Sequence, residues 1–390
     1  MKVGIIGSGT MGSGIAQIAS TNNCEVVLCD ANEAALEKAK ANLQKIMNRL
    51  IEKGRVDAAE ADRIQNGINY STNFQQFKNA DLIIEAIIEN ADIKKSVFKE
   101  VESIVPGSCI IASNTSSLSV TSLAAALNKP ERFVGIHFFN PAPLMKLVEI
   151  IPAIQSDEAV ITKAKNVVES WGKLTVLAKD TPGFIVNKVA RPFYSEALRI
   201  LEEGVTALPQ AQAIATIDWA ITELGGFKMG PFTLMDFIGN DVNYTVTETV
   251  FKAFYYDPRY KPAFTQKRLA EAGYNGRKSG KGYYNYKVNE VNAAPVKDAI
   301  LGKKIINRII VMLINEAADT LLFNIATKED IDLAMTKGVN YPKGLFAWAD
   351  EVGIENCVKQ LDDLYNTYHE DRYRCSALLR NMIEANKRFY

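Results

Sequence analysis

"KVGIIGSGTMGSGIAQIAS", residues 2–20, passes from a β-branched apolar run through a glycine cluster into residues with helical spacing. Ile15, Ile18 and Ala19 repeat at i, i+3 and i+4, so the stretch reads as strand, tight turn and helix. "GSGTMG" (7–12) is therefore G-x-G-x-x-G set between a strand and a helix. Gly7 permits the turn, Gly9 lets a pyrophosphate approach the backbone, and Gly12 allows close packing of the helix, whose N-terminus faces the phosphates. "CEVVLCD" (24–30) reads as a second buried strand and delivers Asp30 to its end, 18 residues after Gly12. A carboxylate there accepts from the ribose hydroxyls and repels a 2′-phosphate, which selects NAD over NADP. A helix-capping or turn aspartate is the plainer reading of Asp30, and the fingerprint upstream outweighs it.

Outward from this unit the pattern repeats. "NEAALEKAKANLQKIMNRLIEKG" (32–54) reads as a long helix with Asn32 as cap and Gly54 as stop. "ADLIIEAII" (80–88), "SCIIAS" (108–113) and "RFVGIHFF" (132–139) supply further buried strands, with a helix around 92–103. Strands alternating with amphipathic helices indicate a parallel sheet with crossover helices, so the fold class is α/β, with a Rossmann-like NAD-binding domain over residues 1–180. After Thr181-Pro182-Gly183 the texture becomes helical. This gives a helical domain over 181–287, a polar linker "KVNEVNAAPVKDA" (287–299), and a second helical repeat over 301–390. "IDWAITELGGFKMGPFTLMDFIG" (217–239) aligns without gaps on "IDLAMTKGVNYPKGLFAWADEVG" (331–353), matching Asp218 with Asp332, Gly230 with Gly344, Asp236 with Asp350 and Gly239 with Gly353. Asn187 and Glu196 have the same spacing as Asn307 and Glu316. Two all-α domains related by duplication are expected, packed on each other.

Lys plus Arg and Asp plus Glu both total 45, so no global charge draws the chain to nucleic acid or an anionic membrane. The five cysteines lack C-x-x-C spacing, which argues against a disulfide framework and a zinc site, so no metal is expected and a reducing cytoplasm fits best. The glycine motif begins too early for a signal peptide. The uncharged stretch 105–128 is interrupted by Ser, Thr and Asn, so neither targeting nor a membrane span is expected.

"GIHFFNPAPLMKLVEI" (135–150) holds one of only two histidines. A lone histidine among aliphatics is ordinarily a packed core residue. Here "NPAP" signals a turn and "LMKLVEII" another strand, and His137 and Glu149 are equidistant from Pro143. An antiparallel return would set them opposite each other on one face. Glu149 would then bind the Nδ1 proton, fix the tautomer and leave Nε2 to remove a proton from an alcohol as hydride departs. A return that is not antiparallel would make Glu149 a solvated residue.

With these residues in view the chain resembles the NAD-dependent L-3-hydroxyacyl-CoA dehydrogenases, including the 3-hydroxybutyryl-CoA dehydrogenases. The resemblance runs over 1–287 through "GSGTMG", "ADLIIEAIIEN", "ASNTSSLSVT", "GIHFFNPAPLMKLVEII", "KDTPGFIVNK", "GFKMGPFTLMDFIGND" and "GRKSGKGYYNY". The tandem helical copy resembles longer members and the dehydrogenase portion of multifunctional fatty-acid oxidation enzymes. The resemblance implies His137 as the catalytic base, Glu149 as its orienting carboxylate, and Ser116 and Asn187 as contacts to the substrate. For NAD it implies Met11, Asp30, Ile87 to Glu89, Lys94, Ser116 and Asn140 beside the glycines.

The implied reaction is reversible oxidation of an L-3-hydroxyacyl-CoA to the 3-oxoacyl-CoA. Lys45, Arg49 and Lys53 form a basic stripe at i, i+4 and i+8, either a solvated face or a contact for CoA phosphates. A family lysine that touches CoA falls most nearly on Lys53, while a family serine on this helix falls on Ile46. Lys188 stands where the family usually has Arg and Lys228 where it has Pro, changes expected to bear on chain-length preference. The resemblance implies a substrate or dimerisation-type role for the helical domain over 181–287. In two-domain members the helical domain makes the dimer interface, so the second copy is expected to form a pseudo-dimer within one chain. The rival readings are a hydroxyacid or sugar-acid dehydrogenase that does not use CoA, and a non-catalytic NAD-binding protein.

Overall fold

The apolar run before the glycines becomes β1 (Lys2–Ile6), buried from Val3 to Ile6, and the glycine turn opens α1 (Thr10–Thr21). β2 (Glu25–Cys29) then leads to α2 (Glu33–Glu52), which starts where the Asn32 side chain accepts from the Ala35 amide. Leu36, Ala39, Leu43 and Met47 form its buried stripe, while its other faces carry charge. Burying Leu36, Leu43 and Met47 contributes about 1.5–3 kcal/mol each. The chain continues through α3 (Ala58–Asn66), β3 (Ile68–Ser71), β4 (Leu82–Glu85), α4 (Ala91–Glu102), β5 (Ile110–Ser113), α5 (Val120–Ala124), β6 (Phe133–Phe138), β7 (Leu147–Pro152), α6 (Glu158–Ser170) and β8 (Leu174–Leu177). The elements α3, β3, α5, α6 and β8 are additional to those read from the sequence.

The computed structural model describes residues 1–390, which divide into two compact units, Met1–Phe184 and Ile185–Tyr390. In the first unit the eight strands form one sheet in the order β3-β2-β1-β4-β5-β6-β7-β8. β3 to β6 pair in parallel, and β7 returns antiparallel to β6 with His137 opposite Glu149. β8 pairs in parallel with β7. The strand order reverses at β1, which opens a crevice beyond the carboxyl ends of β1 and β4, where such sheets bind ligands. Gly7, Asp30, Glu89, Ser116 and Asn140 all follow carboxyl ends of these parallel strands.

The second unit is helical: α7 (Val186–Val189), α8 (Arg191–Glu202), α9 (Gln210–Trp219), α10 (Pro231–Ile238), α11 (Asn240–Ala253), α12 (Phe264–Glu271), α13 (Ala299–Leu322), α14 (Lys328–Gly338), α15 (Leu345–Val352), α16 (Ile354–Tyr368) and α17 (Ala377–Glu384). Residues expected as two domains, 181–287 and 301–390, lie almost wholly within this one unit. α13 is buried on nearly all sides between Arg308 and Thr320 and packs against α8, α15 and α17, so it is the axis of the unit. Glu196 on α8 receives Arg308 and Arg372, and Glu316 on α13 receives Lys188 and Arg259. No helix is long and apolar enough to cross a membrane.

Candidate active site

The glycine turn is shaped by close approach. Gly7 has φ +100°, and a Cβ there would lie 2.7 Å from the Ala86 carbonyl oxygen. A Cβ on Gly12 would fall 1.8 Å from the Gly7 carbonyl oxygen, so only glycine lets α1 start this near the turn. At Gly9 a Cβ would meet nothing within 4 Å, which leaves the backbone open at the N-terminus of α1. Asp30 folds back over this loop. Its Oδ2 accepts from the Ser8 amide and hydroxyl, each at 2.8 Å, and its Oδ1 accepts from the Asn32 amide at 3.0 Å. Burial works to raise its pKa, but the Ser8 and Asn32 amides and the Ser8 hydroxyl outweigh it and hold the carboxyl below its usual value. An open glycine backbone beside a fixed carboxylate fits a dinucleotide without a 2′-phosphate. Met11 is half-buried in the same loop.

Beyond β4 lies a second cluster. Glu85 and Lys94 are both essentially buried, and the Lys94 ammonium is paired with Glu85 and, at 3.2 Å, with Glu89. Glu85 also accepts from the Ser113 hydroxyl and the Ile87 amide, each at 2.7 Å. Glu89 Oε1 accepts from the Thr115 hydroxyl at 2.5 Å, the Ser116 amide at 3.0 Å and the Ser117 amide at 3.2 Å. Burial opposes the charge on Glu89, yet Lys94 and these donors hold its pKa below the ordinary value. The Ser116 backbone is thus pinned, while its hydroxyl makes no hydrogen bond within the protein. Lys94 is not one of the solvated lysines of its helix. Glu85 was not picked out by sequence reasoning, although a carboxylate inside "LIIEAII" was a usable signal.

The third element is the β6–β7 pair. His137 Nδ1 lies 2.7 Å from Glu149 Oε2, with side chains 6% and 0% exposed. The imidazole packs against Phe139 and Phe184, at 4.5 and 5.8 Å between ring centroids. Nε2 has no partner in the protein. Asn114 Oδ1 accepts from the Phe138 amide at 2.8 Å and ties the ends of β5 and β6 together. Exposed Asn140 follows, joined to Pro141 by a cis peptide. Asp180, also missed in the sequence, accepts from Ser119, Val120 and Thr121 and anchors the loop that ends the serine segment.

Asn187 belongs to the second unit, half-buried on α7. Its neighbour Lys188 turns inward to Glu316 and to the Thr320 hydroxyl at 2.9 Å. The Lys188 ammonium is thus paired inside the helical unit. Lys228 is exposed. Lys45, Arg49 and Lys53 are exposed and make no ion pair, and Ile46 beside them is 44% exposed.

Residues 2–181 match the model of "3-hydroxyacyl-CoA dehydrogenase, NAD binding domain", and residues 183–286 and 305–388 match that of the C-terminal domain of the same family. A 3-hydroxyadipyl-CoA dehydrogenase of Escherichia coli is 35% identical over 97% of this chain and 96% of its own length. A probable 3-hydroxybutyryl-CoA dehydrogenase of Deinococcus radiodurans is 40% identical over 73% of this chain and all of its own. Among solved structures, a 3-hydroxybutyryl-CoA dehydrogenase from Escherichia coli superimposes with a TM-score of 0.92 at 32% identity, covering 99% of each chain.

Proposed function

The chain belongs to the 3-hydroxyacyl-CoA dehydrogenase family, and from that premise we propose how its residues divide the work and which chains it takes. The protein is an NAD-dependent enzyme that interconverts an L-3-hydroxyacyl-CoA and the 3-oxoacyl-CoA. The acyl chain is short, of the hydroxybutyryl or hydroxyadipyl size for which its relatives are named.

Gly7, Gly9, Met11, Gly12, Asp30, Ile87, Glu89, Lys94, Ser116 and Asn140 hold the cofactor, with Asp30 at the ribose. NAD bound there supplies the hydride acceptor. His137 Nε2 takes the hydroxyl proton as the C3 hydride leaves and returns it in the reverse direction. Glu149 keeps the Nδ1 proton in place and balances the imidazolium, acting through His137 as a positioning residue. The Ser116 hydroxyl, left free by a pinned backbone, donates to the 3-oxygen, a role the resemblance also gives the Asn187 amide. Lys53 meets CoA phosphate. A reducing cytoplasm suits five dispersed cysteines without C-x-x-C spacing.

The observation that carries this reading is the buried 2.7 Å pair of His137 and Glu149, with Nε2 unpartnered. Following NADH absorbance with acetoacetyl-CoA tests it. Wild type should oxidise NADH, and His137→Gln should lose kcat by roughly 10²–10⁴ while still binding NADH. A variant with wild-type kcat would remove His137 from the chemistry.

The helical unit is read as two unlike copies, 181–287 and 301–390, paired as a pseudo-dimer. Asp218 accepts from the Phe232 and Thr233 amides at the start of α10, and Asp332 from the Phe346 and Ala347 amides at the start of α15. Asp236 accepts from the Tyr283 and Tyr284 amides, as Asp350 does from those of Phe389 and Tyr390. Lys188 and Arg259 of the first copy reach Glu316 of the second, while Arg308 and Arg372 of the second reach Glu196 of the first. Such reciprocity is the mark of a two-fold interface. A chain truncated after Tyr286 should self-associate in light scattering or precipitate, whereas a soluble monomer would contradict the pseudo-dimer.

A further inference from the structure

The second unit buries five cations: Lys188, Arg191, Arg259, Arg308 and Arg372. Four of them meet carboxylates. Lys188 pairs with Glu316, Arg259 with Glu316 and Asp319, Arg308 with Glu196 and Glu203, and Arg372 with Glu196. Arg191 is only 5% exposed and meets none. Its Nε donates to the Asn187 carbonyl at 2.8 Å, its Nη1 donates to the Thr247 hydroxyl at 3.1 Å, and its guanidinium lies 5.0 Å from the Tyr194 ring centre. Nη2 has no partner in the protein. A buried charge given only neutral acceptors keeps most of its desolvation cost. Burial pulls the Arg191 pKa down, and the groups that pull it back up are Tyr194 and Tyr341, not a carboxylate.

Tyr341 sharpens the anomaly. Its hydroxyl is buried and has no hydrogen-bond partner, although its ring is packed against Phe193 and Phe227. A guanidinium edge and a hydroxyl donor are therefore both left without an anion. A carboxylate is the anion such donors call for, since the guanidinium fork matches its two oxygens. Arg191 also follows Asn187 by four residues, a rise of about 6 Å at helical geometry, and is bonded to its carbonyl. From the 3-carbon of a six-carbon chain to its terminal carbon is three bonds, roughly 4 Å when extended.

We propose that Arg191, with the Tyr341 hydroxyl, is the receptor for a carboxylate at the far end of the acyl chain, so that the enzyme prefers ω-carboxylated 3-hydroxyacyl-CoA over methyl-ended chains of the same length. This rests on the reading of Asn187 as a contact to the 3-oxygen. It assigns the second helical copy, through Tyr341, a part in substrate selection. Of the two ends that short acyl chains present, a methyl gains nothing from a buried guanidinium.

The test compares kcat/KM for 3-oxoadipyl-CoA and 3-oxohexanoyl-CoA, which have equal carbon number, by NADH absorbance in wild type, Arg191→Met and Tyr341→Phe. Wild type should favour the diacid at least about tenfold. Arg191→Met should cut the diacid-to-hexanoyl ratio roughly 10- to 100-fold, the range expected for losing a hydrogen-bonded charge partner. Tyr341→Phe, which removes one buried atom and is the safer variant for folding, should cut the ratio less but in the same direction. Wild type favouring hexanoyl or treating both alike would overturn the proposal. So would an equal loss on both thioesters in Arg191→Met, which would make Arg191 a structural residue or a CoA contact. Absence of turnover with acetoacetyl-CoA as well would instead reject the underlying dehydrogenase reading.

Discussion

Glu149 stands directly across the antiparallel β6–β7 pair from His137, with its Oε2 2.7 Å from Nδ1. The pairing fixes which imidazole nitrogen is left without a partner in the protein, because the other is held by a buried carboxylate on the neighbouring strand. Glu149→Gln retains the shape but not the charge that balances a protonated imidazole. Its kcat for acetoacetyl-CoA reduction should fall roughly 10²-fold or more, with a changed pH profile of kcat and NADH affinity within about twofold of wild type. Steady-state rates across pH, beside a fluorescence titration of NADH, check this. An unchanged kcat would reduce Glu149 to a packing residue.

Asp30 sets the cofactor preference in the proposed function. Three donors fix its carboxylate against the glycine loop and depress its pKa, so its charge persists as pH falls to the ordinary aspartate value of about 3.9. Asp30→Asn should raise the ratio of kcat/KM for NADP over NAD roughly tenfold or more, by removing repulsion of a 2′-phosphate. Wild type should hold its preference for NAD from pH 8 down to about pH 5. Initial rates with both cofactors decide it, and a ratio insensitive to Asp30→Asn would move discrimination to another group.

Lys94 and Glu85 are a buried pair in which neither partner has water to fall back on. Lys94→Met leaves Glu85 with the Ser113 hydroxyl and the Ile87 amide as its remaining donors, and should cost about 3–5 kcal/mol of unfolding free energy. Adding Glu85→Gln to Lys94→Met should recover a good part of that loss, since no buried charge then remains uncompensated at this point. Urea unfolding of the two variants provides the numbers. A double variant no more stable than Lys94→Met would show that the pair does not carry the effect.

What could be read in advance was what leaves a local mark. The glycine fingerprint, Asp30 at a strand end and the symmetry of His137 and Glu149 about Pro143 are all short-range patterns. β3 and β8 have only four residues each and are partly exposed, so pairing with β2 and β7 rather than their own periodicity makes them strands. Glu85 draws on Ser113, 28 residues away, and Lys188 on Glu316, 128 residues away, which no window along the chain brings together. Arg191 sits in "NKVARPFYSEA" like a helix-surface arginine, and only the tertiary packing that brings Thr247 and the Tyr194 ring against it makes it a buried cation.

Asp218 gives the helical unit a pH dependence opposite in sign to that of a stabilising ion pair. Burial pushes its carboxyl up to about 6, against the pull of the Thr233 hydroxyl, the Phe232 and Thr233 amides and the Tyr284 hydroxyl. Between the unfolded value of about 3.9 and about 6, the folded chain keeps a proton on Asp218 that the unfolded chain has released. Folding is therefore favoured by Asp218 at the acid end, and that contribution is lost as pH rises through this window, by up to about 3 kcal/mol. In Asp218→Asn no proton can be lost, so the stability of wild type relative to the variant should decline from pH 4 to pH 6.5 and then level off. Thermal or urea unfolding of both proteins across that range measures it. A difference that rises with pH would show that the donors around Asp218 outweigh its burial and hold it as a carboxylate.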